Sequence, residues 1–257
     1  MSLLPLRWSM LLLVFSGCSA VNVASIRDAE TLPSGQKSIG GGGIIAPNHY
    51  AVNDIEGATL RWRVDPAIVW MARIGLSDQV ELGGTMWASN LPFLSLAWGS
   101  FDLGLRAEGA WMITARESGQ KVAAVVSLGG YGTGVGAITL HQPPHRGGGL
   151  MGMGGGGLLY SVVLGEKTSG EDRSTLTLSL RGDYLSGLYR IDPTSADSAA
   201  GRVTIEREIS QGMFLPSLTL RLPGGGYIEL GGVAARTPWR NGLDWTLHAG
   251  IGMMRKD

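Results

Sequence analysis

Apolar and charged side chains alternate with a period of two over several long segments of this 257-residue chain. In residues 101–113 the odd positions are apolar or small, and the charged residues occupy even positions. Because successive side chains of a β-strand point to opposite faces, such a segment has one apolar and one polar face. The same alternation recurs at residues 175–188, 202–209 and 243–253. The chain is therefore predicted to be all-β.

The composition agrees with a β-protein and excludes several other classes. Glycine accounts for 41 of the 257 residues, more than twice the usual share of about 7%. No Gly-X-Y period accompanies it, which excludes collagen and favours strands with tight turns and close contacts. The formal charges balance, so nothing indicates nucleic acid as a partner. After residue 20, no apolar stretch reaches the length of about 20 residues that a membrane helix needs.

Turn signals divide the alternating segments at the spacing of β-hairpins. Tight turns are predicted at residues 76–79 and 118–120, and Leu215-Pro216 and residues 223–226 are predicted to bracket a short strand. Longer polar or Gly/Pro-rich stretches are predicted to be loops, at residues 47–57, 142–149, 165–173, 192–201 and 237–242. The resulting count is about 12 strands, within a range of 10–14.

The apolar faces have the dimensions of a membrane-facing surface. Phe101 and Trp111 share a face ten residues apart, about 23 Å along the membrane normal, close to an apolar band of about 25 Å. These two residues and Trp245 are the candidates for an aromatic girdle. Other tryptophans also lie near predicted strand ends, where a partly wet indole is favoured; they are Trp87, Trp98 and Trp239.

The opposite faces carry charges well inside the strands, which suits a polar lumen where these groups stay wet or paired. The candidates for lumen-facing residues are Asp102, Arg106, Glu108, Arg181, Asp183 and His248. A soluble β-sandwich has the same alternation with its apolar faces turned inward, and it is the alternative architecture.

The first twenty residues have the pattern of a secretory signal peptide. A basic residue, Arg7, precedes an apolar run at residues 8–15 that is too short to span a bilayer. Residues 16–18, Ser-Gly-Cys, resemble the lipobox of bacterial lipoproteins, although Phe15 replaces the usual Leu. The resemblance implies cleavage before Cys18, the only cysteine, and acylation of its thiol. An ordinary signal peptide cut after Ala20 is the alternative.

Two further segments resemble bacterial outer-membrane β-barrels. Residues 31–36, Thr-Leu-Pro-Ser-Gly-Gln, resemble the start of the first strand in barrels that begin as lipoproteins, and residues 73–83 resemble a common barrel hairpin. Ser19 follows Cys18 where Asp commonly retains lipoproteins at the inner membrane, so the resemblance implies the outer membrane. Residues 253–257 end the chain without the aromatic residue of many such barrels.

No motif predicts catalysis or a metal site. His141 and His145 flank two prolines that forbid a helix, so this pair is predicted to lie in a loop. The glycine-rich residues 147–157 lack a Gly-Lys-Ser/Thr ending and are predicted to be a flexible loop or a thin strand. His248 and Asp244 share a face, but four strand residues separate them by about 13 Å, too far for a catalytic hydrogen bond.

The sequence thus predicts a lipoprotein signal peptide at residues 1–17, an acylated tether at 18–37 and a single antiparallel up-and-down transmembrane-type β-barrel at 38–257. Whether the tether, with its charged patch at residues 27–30, forms a brief helix or plugs the lumen is open. The expected function is structural or a narrow pore for transport, without catalysis or any cofactor beyond the lipid. Expected partners are outer-membrane lipid and the machineries for barrel assembly and lipoprotein sorting. The alternatives are a lipid-anchored, periplasm-facing β-sandwich or barrel that binds a small ligand or envelope partner, and a lipid-modifying enzyme.

Overall fold

The computed structural model describes residues 26–54, 57–89, 100–135, 145–165, 173–193, 205–236 and 243–256, which form a closed barrel of ten antiparallel strands. Each strand pairs with its neighbours in chain order, and the last strand pairs with the first. No helix among these residues is long and apolar enough to cross a membrane. The strands are β1 (Lys37–Asp54), β2 (Gly57–Gly75), β3 (Val80–Ser89), β4 (Ser100–Met112), β5 (Gln120–Val135), β6 (His145–Leu164), β7 (Ser174–Pro193), β8 (Ile205–Arg221), β9 (Gly226–Arg236) and β10 (Leu243–Lys256).

The predicted single antiparallel up-and-down barrel is confirmed, with ten strands in the described residues instead of about twelve. The count falls because two predicted breaks lie inside strands. Residues 47–54 continue β1 instead of forming a loop, and Leu215-Pro216 lies within β8. The ladder between β8 and β9 passes from the pair Phe214–Ala234 to the pair Ser217–Gly231 and skips the two residues between. Proline has no N–H to donate, so it interrupts this ladder without ending the strand.

The strand register fixes the shape of the barrel. A path from partner to partner that leaves β10 at Lys256 returns to β10 at Asp244, twelve positions earlier in the chain. With strands about 4.8 Å apart and about 3.3 Å per residue, this shear tilts the strands by about 40° from the barrel axis. Each residue therefore advances about 2.5 Å along the axis.

The two ends of the barrel differ. The start of β1, the end of β10 and the connections at residues 76–79, 113–119 and 222–225 lie at one end, named the turn end here. A 3-10 turn, Pro223–Gly225, forms the last of these connections. At the opposite end, named the loop end, the connections at residues 90–99, 136–144, 194–204 and 237–242 lie outside the described residues.

Large apolar side chains cover the outer wall between two sets of charged residues. On β10 this band extends from Trp245 to Met253, about 20 Å along the axis, and its large side chains are 61–78% exposed. The described outer faces carry no charged side chain within the band. The exposed charges of the strands lie beyond it, at Lys37 and Arg255 near the turn end and at Arg190, Glu206 and Glu208 near the loop end. A continuous apolar surface of this size marks a membrane or protein contact.

The structure corrects the orientation predicted for residues 202–209. The apolar positions of this segment are predicted to face outward, but Glu206 and Glu208 are the exposed side chains. They share the parity of Phe214 and Leu218, which also face outward on β8. Side chains alternate strictly along a strand, so all even-numbered residues of β8 face the same side of the wall. Here β8 extends past the apolar band, and its outward positions become charged.

Apolar side chains fill the part of the interior nearer the loop end. Trp87, predicted with the tryptophans at strand ends, lies instead inside the barrel with no exposed surface, and its ring centroid is 6.3 Å from that of Tyr131. A Cβ atom at Gly104 on the neighbouring strand would overlap this ring, so the glycine provides its space. Trp98 and Trp239 lie outside the described residues. The same buried cluster includes Ile44, Val69, Met151, Met153, Leu185, Met213, Leu215 and Val233.

Candidate functional site

The segment that precedes the first strand lies in the lumen and reaches the turn end at residues 35–36. Residues 26–36, named the plug here, have no regular secondary structure. At the rim, the Gly35 amide donates to the Gly75 carbonyl over 2.8 Å. At its deep end, Ile26 joins the apolar cluster of the barrel interior. Residues 26–32 of the predicted tether therefore lie inside the barrel, and residues 33–36 lie at its rim.

Wall groups satisfy the irregular backbone of the plug. The Ala29 amide donates to Ser161 Oγ over 2.7 Å, and the Leu32 amide donates to Glu81 Oε2 over 2.9 Å. Arg116 Nη2 donates to the Thr31 carbonyl over 2.9 Å. Buried backbone groups must find partners, and here side chains of the barrel replace a β-ladder. The plug is thus held without being a strand of the sheet.

Every charged side chain of the plug meets an opposite charge on the barrel. Arg27 Nη2 lies 2.8 Å from Glu81 Oε1, and its Nη1 lies 3.4 Å from Glu108 Oε2. Asp28 Oδ2 lies 2.7 Å from Arg221 Nη1. Glu30 Oε1 lies 2.6 Å from Lys121 Nζ and 3.8 Å from Arg116 Nη1. The plug and the wall are therefore complementary in charge.

Four of the predicted lumen candidates form one buried cluster next to Arg27. Glu108 Oε1 lies 2.8 Å from Arg106 Nε and 3.8 Å from Arg181 Nη1. Asp183 Oδ2 lies 3.1 Å from Arg181 Nη2 and 3.9 Å from Arg106 Nη1. Two carboxylates thus alternate with two guanidinium groups in space. Such pairing offsets the large cost of burying each charge alone.

Glycines of β6 make room for this cluster. The inward positions facing Asp183 and Arg181 are Gly155 and Gly157, where a Cβ would overlap the neighbouring strand and side chains. The glycine-rich residues 147–157 lie within β6, so the thin strand of the two open predictions is the one observed.

The other two candidates lie apart from the cluster. Asp102, buried on β4, accepts a hydrogen bond from the Ser89 hydroxyl. His248, buried on β10, places Nε2 3.0 Å from Glu229 Oε1, and Thr219 Oγ1 donates to Glu229 Oε2 over 3.3 Å. All six predicted lumen candidates are therefore on the inner face of the barrel, and four of them form the ion-paired cluster.

The described contacts of His248 include no hydrogen bond to a serine. Its ring occupies the space above Gly231, beyond which lies Ser217 on β8. Because Nε2 already contacts Glu229, a serine would have to use Nδ1, which has no hydrogen-bond partner among the described residues. Ser217 Oγ also lacks one there. Within the described ranges, no three His, Cys, Asp or Glu side chains could hold a metal ion.

Two of the three girdle candidates lie on the outer wall. Trp111 is 56% exposed and Trp245 is 64% exposed. The register separates them by about 23 Å along the barrel axis, near the two margins of the apolar band. Phe101 belongs to β4, but its side chain is outside the described part. Cys18, Ser19 and the signal segment also lie outside the described residues.

Sequence reasoning predicted Glu108 but missed the other wall partners of the plug. A signal for one of them exists: Glu81 is the single charge of β3, and its parity opposes that of Leu82. The other missed residues are Arg73, Arg116, Lys121 and Arg221, which lie near strand ends or in a turn, where the alternation is weakest.

The fold and the lumen define a closed ten-strand barrel filled by its own N-terminal segment. No family model and no curated protein matches the sequence. Among solved structures, the chain is similar to one described as a "TodX deltaS2S3 mutant monoaromatic hydrocarbon channel". That similarity has 15% identity and a TM-score of 0.37, and it covers 94% of this chain and 73% of that chain.

Proposed function

We propose that this protein is an outer-membrane β-barrel whose lumen is a gated passage for small solutes, closed in this conformation by the plug. The supporting observation is that all three charges of the plug pair with the wall, although the plug contributes no strand to the sheet. Apart from the backbone hydrogen bonds of residues 35–36 with Gly75 at the rim, side chains hold the plug, so it can leave the lumen without breaking any ladder of the barrel. The closed and open states then differ in the position of the plug, while the strands of the barrel stay the same.

The outer wall supports the membrane location. Its apolar band, bounded by exposed charges at both ends, matches the height of about 25 Å expected for lipid-facing strands. We infer that acylated Cys18 adds a second attachment. Eight chain positions separate Cys18 from Ile26; at about 3.3 Å per residue they span up to about 26 Å. That length suffices to connect the plug with a membrane leaflet at the turn end.

A variant with Cys18→Ala behind a signal peptide without a lipobox tests this location. We expect the protein still to require detergent for extraction and to migrate as a heat-modifiable band, because the barrel spans the membrane by itself. The wild type is the control, and radiolabelled palmitate should enter it but not the variant. A variant that is released in soluble form would show that the barrel is only tethered.

Two kinds of variant test the passage: one weakens the binding of the plug to the wall, and the other links the plug to the wall by a disulfide. Arg27→Gln removes the charge that pairs with Glu81 and Glu108, and it should raise the frequency of openings in planar bilayers. Removing one member of a buried ion pair costs about 3–5 kcal/mol, part of which the wall arginines recover. At about 1.4 kcal/mol per decade, we expect an increase of about tenfold to a hundredfold.

The disulfide variant is simple to design because Cys18 is the only cysteine of the sequence. In the Cys18→Ala background, Ala29→Cys and Ser161→Cys place two thiols on neighbouring residues, since the Ala29 amide now lies 2.7 Å from the Ser161 hydroxyl. Oxidation should silence the Arg27→Gln barrel, and a reductant should restore its openings. Glu117→Gln, an exposed charge in a turn at the same end, is the matched control. Silence of the reduced Arg27→Gln barrel would refute the passage.

A structural role is the second candidate, and the apolar cluster favours it. Trp87, Met151 and Leu185 fill the lumen between the charged network and the loop end, each with 2% or less of its surface exposed. A solute would have to displace these side chains as well as the plug. If every plug variant remains silent while the barrel is folded, the filled lumen is a core and the protein is a structural membrane element.

A further inference from the structure

The two acidic side chains of the plug occupy cationic positions on the wall. Asp28 contacts Arg221 at the end of β8, and Glu30 contacts Lys121 at the start of β5 and Arg116 in the preceding turn. These three cations come from separate elements and converge on the same end of the lumen. Each holds a carboxylate that belongs to the plug and not to the wall.

The basic side chain of the plug is not equivalent to its acids. Arg27 pairs with Glu81 and Glu108, and both of these already have wall partners. Glu81 Oε1 lies 3.7 Å from Arg73 Nε, and Glu108 Oε1 lies 2.8 Å from Arg106 Nε. Lys121 and Arg116 form ion pairs with no carboxylate of the described wall. Withdrawal of the plug therefore leaves the turn end with an excess of positive charge.

A cavity of about 110 Å³ lies between the plug and the wall at this place. Arg73, Arg116 and Arg221 line it, together with Asp28 and Glu30. Tyr227 also lines it, while its hydroxyl lies over Gly42 and Gly252 of the wall. Cationic donors around a small space are suited to carboxylate oxygens, since charged donors give the stronger hydrogen bonds.

We propose, building on the gated passage proposed above, that the turn end of the lumen is a binding site for small carboxylate anions. Such an anion competes with Asp28 and Glu30 for Arg116, Lys121 and Arg221, and its binding releases the plug. The plug is then an internal substitute for the ligand. The open barrel conducts anions in preference to cations because Arg116 and Lys121 lose the carboxylate of Glu30.

Succinate is the probe for binding, measured by titration calorimetry on the full-length protein in detergent at constant ionic strength. The Asp28→Asn/Glu30→Gln variant keeps the shape of the plug but removes its competing charges. We expect it to bind succinate about tenfold or more tightly than the wild type, since a competing internal state lowers apparent affinity. Adding Lys121→Gln should abolish the gain, and neutral succinamide should not bind. Equal affinities in wild type and variant would overturn the site.

Conductance separates this site from the passage itself. In a potassium chloride gradient, the reversal potential of the Arg27→Gln barrel should favour chloride, and Lys121→Gln should reduce that preference. Millimolar succinate should also raise the opening frequency of the wild type, a measurement that needs no variant. Openings without anion preference or succinate effect would overturn the anion site and leave the passage. Succinate binding without any opening would overturn the passage and leave the site.

Discussion

Replacing Glu108 by glutamine is expected to lower the free energy of unfolding of the barrel by about 3–5 kcal/mol. The carboxylate lies between three guanidinium groups, those of Arg27, Arg106 and Arg181, at 2.8–3.8 Å. Glutamine keeps the shape but leaves buried positive charges without their shared counter-charge, and this imbalance is the large cost. Urea unfolding in detergent micelles, followed by heat-modifiable migration and by tryptophan fluorescence, measures the change.

Two controls separate charge balance from simple loss of contact. Glu117→Gln changes an exposed carboxylate in a turn and should alter stability by less than about 0.5 kcal/mol. The double variant Glu108→Gln/Arg106→Gln removes both members of the closest pair and should be more stable than Glu108→Gln alone. If Glu108→Gln unfolds at the urea concentration of the wild type, the network does not stabilise the barrel.

Replacing Trp87 by alanine is expected to destabilise the barrel by about 3–5 kcal/mol, as for other large aromatic side chains removed from a core. Its ring has no exposed surface and fills the space left by Gly104 beside Tyr131. Trp111→Ala, on the outer wall, should cost much less because lipid replaces the lost contacts. Both are measured in the same unfolding assay, and a brominated lipid should quench Trp111 but not Trp87.

The pairing of Trp87 with Gly104 gives this prediction an internal check. Gly104→Ala forces a Cβ into the ring and should destabilise the wild type by about 1–3 kcal/mol. In the Trp87→Ala background the same change meets open space and should be nearly neutral or stabilising. Additive effects of the two substitutions, or equal costs for Trp87→Ala and Trp111→Ala, would place Trp87 outside the core.

The alternation of side chains was enough to predict the class of fold and the faces of most strands. It separates Leu103 and Leu105, exposed on the outer wall, from Asp102 and Arg106, buried inside. The turn-type residues between alternating segments also predict the hairpin turn at residues 76–79. These features depend only on backbone geometry within a few residues, and a sequence displays them directly. The strand count was harder to predict, because β1 and β8 contain proline and glycine, the residues that usually mark turns.

The partners of the charged residues could not be predicted, because barrel closure decides them. Arg73, Glu108 and Asp183 lie on one path of paired residues around the wall, a consequence of the shear of twelve. No local pattern contains that number. Trp87 was wrongly predicted to be partly wet for the same reason. Its position near a strand end does not show whether its side chain packs inside the closed barrel.

By itself, the sequence determined an all-β barrel with an apolar outside and a charged inside, since side-chain alternation is a local property. Only the tertiary structure showed that the plug closes the lumen. In the sequence, residues 27–30 are a short charged patch before the first strand. In the barrel, Arg27 meets Glu81 across 54 positions and Asp28 meets Arg221 across 193. Charges in a lumen must find partners wherever the wall brings them, and that arrangement exists only once the sheet has closed.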